Sequence, residues 1–166
     1  NEVVKNESPD AGTTVYVYDE LGRLILSQNN KQLNESTASA KIYSYTLTDD
    51  LGRTIETGQV TGAQYPATIT NKNRTDFKTY LAASTRQEVT VVYHDAAIPA
   101  VIPAAAAEFA PLGGQKYTRN RISGVFYYDS YSGDMLAYNS ASFYGYNEHG
   151  MVDRYVSDAL NPLPSV

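Results

Sequence analysis

Four times the chain sets an aromatic residue, a spacer and a second tyrosine ahead of a polar turn that closes on glycine. The unit reads Tyr16-Val17-Tyr18-Asp19-Glu20-Leu21-Gly22-Arg23-Leu24, then Tyr43-Ser44-Tyr45 running on to Asp50-Leu51-Gly52-Arg53. It returns as Phe126-Tyr127-Tyr128-Asp129 running on to Gly133, and last as Tyr144-Gly145-Tyr146-Asn147-Glu148-His149-Gly150-Met151. A single such unit cannot bury its own apolar face, so units of this kind must stack on one another. Alternation of period two puts Tyr16 and Tyr18 on one strand face. An Asp carboxylate accepts the backbone N–H groups ahead of it, and Gly takes positive φ at the exit. Each unit therefore predicts a β-hairpin.

Composition narrows the partners. A net charge of −5, from 13 basic and 18 acidic residues, leaves no basic patch for nucleic acid or for an anionic membrane surface. The most apolar stretch, residues 98–112, holds three prolines and Glu108 and is too short to span a bilayer. With no cysteine, disulfides and thiolate metal sites are excluded. Tyrosine is abundant, at 15 residues, and suits a pleated, half-wet surface where the ring packs and the hydroxyl keeps a polar partner.

Three parts follow along the chain. Residues 1–60 hold two hairpins, after an irregular polar lead-in with a strand starting near Thr14; residues 61–117 are an insertion; residues 118–166 hold two further, degenerate units. In the second unit Tyr45 stands farther from its Gly than Tyr18 does, which predicts two extra residues before the turn and a bulge. The arms of the hairpins are expected at 23–27, 42–48 and 53–60, and strands again from Arg119 to Tyr128 and within 136–156. Residues 28–39 are polar enough for a mobile loop. In the insertion Thr75 predicts an N-cap, with Phe77, Tyr80 and Leu81 on one helix face up to Ser84. Residues 88–94 alternate like a strand, and Pro103 starts at most one helical turn in a Pro- and Ala-rich loop.

Tyr-Asp followed by Gly-Arg is the signature of the YD repeat, and the chain resembles the rearrangement-hotspot (RHS) and YD-repeat family. Tyr18-Asp19-Glu20-Leu21-Gly22-Arg23-Leu24 is an unmodified copy. The run from Thr118 to Val125, leading to Tyr146–Gly150, is similar to a stretch of long RHS-type proteins from Bacteroidetes-like bacteria. The resemblance implies a mainly β fold in which antiparallel YD hairpins stack as a ribbon or shell segment, here with one short inserted helix. It implies a structural role in a large secreted or surface-displayed bacterial protein, whose shell encloses a toxin or other cargo. The partners would be flanking YD repeats and that cargo, with no nucleic acid, no membrane insertion, no cofactor and no catalysis. The Asp-Pro-x-Gly self-cleavage pattern of many such shells is missing, since the tail reads Asn161-Pro162-Leu163-Pro164. The residues that carry the motif are Tyr16, Tyr18, Asp19, Gly22 and Arg23, then Tyr43, Tyr45, Gly52 and Arg53, then Tyr128, Asp129 and Gly133, then Tyr146 and Gly150.

Chemical readings of the same residues are weaker. His94 and His149 lie far apart without a ligand-type spacing. Asp19, Asp49, Asp50, Asp129 and Asp134 invite a glycosidase pair or a calcium site, yet all fall in predicted turns, where Asp has a structural reason to be. Arg23 and Arg53 are expected to lay their stems along the sheet and stack on a neighbouring tyrosine, the alternative being cationic ligand sites. Rows of tyrosine either glue adjacent strands or hold sugars, so a carbohydrate-binding, adhesin-like module is the alternative to the shell.

Overall fold

A computed structural model describes residues 5–10, 12–65 and 74–159. The fold is mainly β, with nine strands in one antiparallel sheet whose order follows the chain and with a few short helices. The chain divides into two compact units, residues 1–89 and 90–166.

The first unit is a meander. Strand β1 (Lys5–Ser8) pairs with β2 (Gly12–Tyr18), so residues 5–8 of the polar lead-in form a strand where an irregular stretch is expected; β2 also starts earlier than Thr14. Strand β2 then pairs with β3 (Leu24–Gln28), β3 with β4 (Lys41–Thr48), and β4 with β5 (Thr54–Gly62). Between β3 and β4 the expected mobile loop is instead the helix α1 (Asn30–Glu35). Asn29 caps it: its Oδ1 accepts from Gln32 N at 2.9 Å while Gln32 Oε1 accepts from Asn29 N at 3.0 Å, a reciprocal box that satisfies two otherwise orphaned donors. Gln32 Nε2 also donates to Ser44 Oγ, fastening the helix to β4.

Helix α2 (Arg74–Ala82) forms around the Phe77 and Leu81 spacing, with both side chains buried, but Thr75 lies inside the helix and not at its N-cap, and the helix ends at Ala82, before Ser84. Tyr65 packs edge-on against Phe77 and Tyr80, with centroids 5.9 and 4.9 Å away. The buried face of this unit is Leu26, Tyr43, Tyr45, Leu47 and Val60, joined by Val89. Strand β6 (Thr85–His94) carries Val89 and spans the division between the units.

In the second unit β7 (Ile122–Ser130) pairs with β8 (Ser140–Tyr146), and β8 with β9 (Val152–Ala159). Strand β7 begins at Ile122 because residues 118–121 form a turn, closed by Arg121 N donating to Thr118 O. Helix α3 (Pro103–Phe109) has Pro at its start, where a missing N–H costs nothing, and runs on into a 3₁₀ turn at Ala110–Leu112. With α1, α2 and α3 the described residues form three short α-helices, where one is expected. The packing of α3 and its flanking loop on the sheet depends on two glycines. A Cβ on Gly124 would stand 2.7 Å from Ile98 Cδ1, and one on Gly145 would stand 2.8 Å from Phe109 Cε1. Gln115 then staples the loop down: its Oε1 accepts from Ile98 N, and its Nε2 donates to Ser123 O and Tyr144 O, one on each of two paired strands. Phe126, fully buried, is the hub of the core, with Tyr93, Tyr138 and Phe143 edge-on at 5.3–5.5 Å and Tyr128 stacked at 6.5 Å.

Candidate functional site

The repeated element is one turn built three times from the same bonds. Asp19 N donates to Arg23 O and Gly22 N to Asp19 O, while Asp19 Oδ1 accepts from both Leu21 N and Arg23 N at 2.9 Å. Around Asp49 every one of these bonds recurs, to Arg53, Gly52 and Leu51. Asn147 reproduces them with His149, Gly150 and Met151, because an amide oxygen accepts two N–H groups as a carboxylate oxygen does. Gly22, Gly52 and Gly150 all have φ between 74° and 83°, the left-handed region that costs other L-residues about 1–2 kcal/mol. Each hairpin also bulges one step before the turn, at Val17/Tyr18, Leu47/Thr48 and Gly145/Tyr146.

This geometry corrects the reading of the second unit. Its turn residue is Asp49, not Asp50, and it holds no extra residues; the bulge it shares with the others is not a response to an insertion. Thr48 therefore stands where the first unit has Tyr18, and Thr46 where it has Tyr16. Tyr43 and Tyr45 fall on the other, buried face, whereas Tyr16, Tyr18 and Tyr146 are only half-buried. A shift of one residue moves a side chain through the sheet. In the third unit Tyr128 is buried, but Asp129 and Gly133 do not make this turn. Asp129 exchanges bonds with Asn139 across a longer loop that contains a 3₁₀ turn, Met135–Ala137, and Gly133 has φ 95° in it.

The arginines clamp their own turns. Arg23 Nε and Nη2 reach Asp19 Oδ2 at 2.7 and 2.6 Å, and Arg53 repeats the fork on Asp49 at 2.7 Å for both nitrogens. Such two-pronged charge-assisted bonds fix the guanidinium plane as well as its position. Arg23 Nη1 also donates to Asp49 O at 3.4 Å, linking one turn to the next. Arg121 lies over a ring, 5.3 Å from the Tyr146 centroid. Partial burial alone would raise the Asp49 carboxyl, but the N–H of Arg53, its guanidinium and the N–H of Leu51 outweigh that and hold it below the usual aspartate range.

The remaining carboxylates of the sequence reading have partners of their own: Asp50 pairs with Arg74, and Asp134 accepts from Leu136 N. His149 lies 3.6 Å from Glu148, both of them exposed. Among the described residues no group of three or more His, Asp or Glu side chains is placed to hold a metal ion, and no helix is long and apolar enough to cross a membrane. The Asn161–Pro164 tail lies outside the described residues.

Gly52 tests the turn most cleanly, because a Cβ there meets nothing within 4 Å and only backbone strain opposes one. Gly52→Val should lower stability by about 1–2 kcal/mol and Gly52→Asn by less, since Asn tolerates positive φ. Equal urea midpoints for the two variants would show that the conformation is not what the turn requires.

What the arrangement does chemically is hold hairpins in register: a carboxylate or amide closes each loop, an arginine locks two of them, and a bulge sets the twist at one point of each. Comparison of the chain with protein-family models, with curated proteins and with solved structures finds no match.

Proposed function

We propose that this chain is a structural, non-catalytic segment of a YD-repeat wall, part of the shell of a large secreted or surface-displayed bacterial protein that encloses or displays a toxin or other cargo. The observation that carries the reading is the recurrence, bond for bond, of one Asx-capped and bulged turn in three hairpins of a sheet whose strand order follows the chain. Identical units in chain order can be added at a sheet edge without rethreading, which is the property a wall needs. The link from Arg23 to the carbonyl of Asp49 supports it too, because it ties successive turns to each other and not to a ligand. The wall would act sterically. Continuous hydrogen-bonded strands deny proteases and targets access to what lies behind them, and flanking repeats of the same protein would cover the outer edges of β1 and β9.

The full-length polypeptide provides the test. Electron microscopy of the native product should show hollow particles, and limited proteolysis should leave an internal segment intact until denaturant opens the wall. A product without a cavity, cut equally along its length, overturns the proposal.

A further inference from the structure

The position occupied by Val17 and Leu47 in the first two hairpins, one step before the bulge, is Gly145 in the last. A Cβ there would stand 2.8 Å from Phe109 Cε1 and 3.2 Å from Arg154 Cβ. Without it an open cleft of about 380 Å³ remains beside the β8–β9 turn, lined by Phe109, Lys116, Tyr117, Tyr146, Glu148 and Asp153 among others. Its size falls at the lower end of the range for small-molecule sites, about 300–1,000 Å³.

One arginine meets two tyrosines of this cleft, the backbone of Tyr117 and the ring of Tyr146. Tyr117 has φ 55°, a conformation an aromatic residue seldom adopts, and keeps 52% of its surface exposed. Its carbonyl accepts from Arg121 Nη1 at 2.6 Å. The same guanidinium lies over the Tyr146 ring, whose hydroxyl is anchored by donating to Ile122 O at 2.7 Å. Neither ring's presentation follows from the β pattern. Tyr117 lies outside every strand, and a strained backbone that holds a ring out into solvent beside a cleft is an outlier of the kind that clusters at binding sites.

The lining narrows the ligand. Two carboxylates, Glu148 and Asp153, oppose an anion; Lys116 opposes a cation; three charged groups in so small a space disfavour an apolar ligand. A neutral polyhydroxyl compound meets all of them, because its hydroxyls donate to the carboxylates and accept from the ammonium while its C–H face lies on an aromatic ring. The geometry points to a binding site for a short neutral saccharide in the second unit, stacked on Tyr117 and hydrogen-bonded by Lys116, Glu148 and Asp153. The Tyr146 ring and the Tyr117 backbone are fixed before the ligand arrives, which reduces the ordering cost, but the cleft is open and affinity in the millimolar range is expected. This site does not depend on the wall reading, which concerns the turns and not the cleft.

The test is a ¹⁵N NMR titration of the whole chain with maltose, cellobiose and N,N′-diacetylchitobiose, each to about 50 mM, beside spermidine as a cationic probe. At least one disaccharide should shift the amides of Lys116, Tyr117 and residues 145–153. Tyr117→Ala should weaken that response about tenfold or more, a loss of about 1.4 kcal/mol. Tyr117→Phe should retain it, and so should Tyr155→Ala, an exposed ring outside the cleft. Should Tyr117→Ala fail to fold, the exposed Asp153→Ala carries the same expectation. Silence with all three sugars, a response to spermidine alone, or an unchanged titration in the Tyr117→Ala or Asp153→Ala variant overturns the assignment.

Discussion

Phe126→Ala should be the most damaging single truncation in the second unit, costing about 3–5 kcal/mol. The reason is its place in the cluster. Phe126 is fully buried on β7, and Tyr93, Tyr128, Tyr138 and Phe143 contact its ring from four directions. Two of those neighbours are themselves pinned by their hydroxyls, Tyr128 on Met135 O at 3.2 Å and Tyr138 on Asp158 Oδ2 at 2.5 Å. Rings tethered at the far end cannot collapse into the space left behind, so the cavity persists and its full cost is felt. Burial also raises both phenols well above the usual tyrosine range, with neighbouring rings and acids adding to it, so these hydroxyls stay protonated donors. Tyr155→Ala, at an exposed ring that tilts against Tyr144 at 5.5 Å and whose hydroxyl meets Ser142 Oγ at 3.1 Å at the surface, should cost less than about 1 kcal/mol. Urea midpoints at unchanged slope read the difference, and Phe126→Leu should fall between the two. If Phe126→Ala and Tyr155→Ala unfold at the same urea concentration, the ring cluster is not the core.

What could be read from the residues beforehand was what local bonds decide. Asp-x-x-Gly announces its turn because the donors, the acceptor and the positive φ all lie within five residues, and the turns at Asp19 and Asn147 lie where the sequence puts them. The same is true of Phe77 and Leu81 in α2 and of Pro103 at the start of α3. The second turn has the same Asp-x-x-Gly spacing from Asp49, and is misplaced only when Tyr45, and not Thr48, is set against Tyr18. Tyr45 lies three residues before Thr48, an odd offset, which puts Tyr43 and Tyr45 on the opposite face from Tyr16 and Tyr18. Helix α1 had a local signal in Asn29-Asn30-Lys31-Gln32, the pattern of a capping box, which the polarity of residues 28–39 obscured. Strand β1 is too polar to announce itself and forms because β2 offers an edge. Gln115 carries no local signal, since its three bonds reach Ile98, Ser123 and Tyr144, each distant in sequence. The cleft stayed hidden for the same reason: a glycine in a strand reads as a weakness until the ring that needs its space is known.

Arg86→Ala should be the costliest change in the first unit, at about 3 kcal/mol or more, because of the charge it would strand. Glu56 sits on the buried face of β5 and receives Arg86 Nη1 at 2.9 Å and the Tyr45 hydroxyl at 2.7 Å, both on Oε1. The two side chains of the pair keep only 14% and 11% of their surface exposed, so solvent screens them little. Removing the arginine leaves a carboxylate with one neutral donor in an apolar layer beside Leu47, its cross-strand partner. Replacing both residues should be far milder. Leu26 occupies the register position of Glu56 in the first hairpin, opposite Val17, and is 1% exposed there, so this sheet accepts a leucine at that place. The double variant Glu56→Leu with Arg86→Met should therefore recover most of what Arg86→Ala loses, as replacement of a buried ion pair by apolar residues of similar volume often does. A double-mutant cycle by urea unfolding separates the outcomes. A coupling below about 0.5 kcal/mol would show that the pair is held at the surface in solution and that this layer of the sheet is open to water.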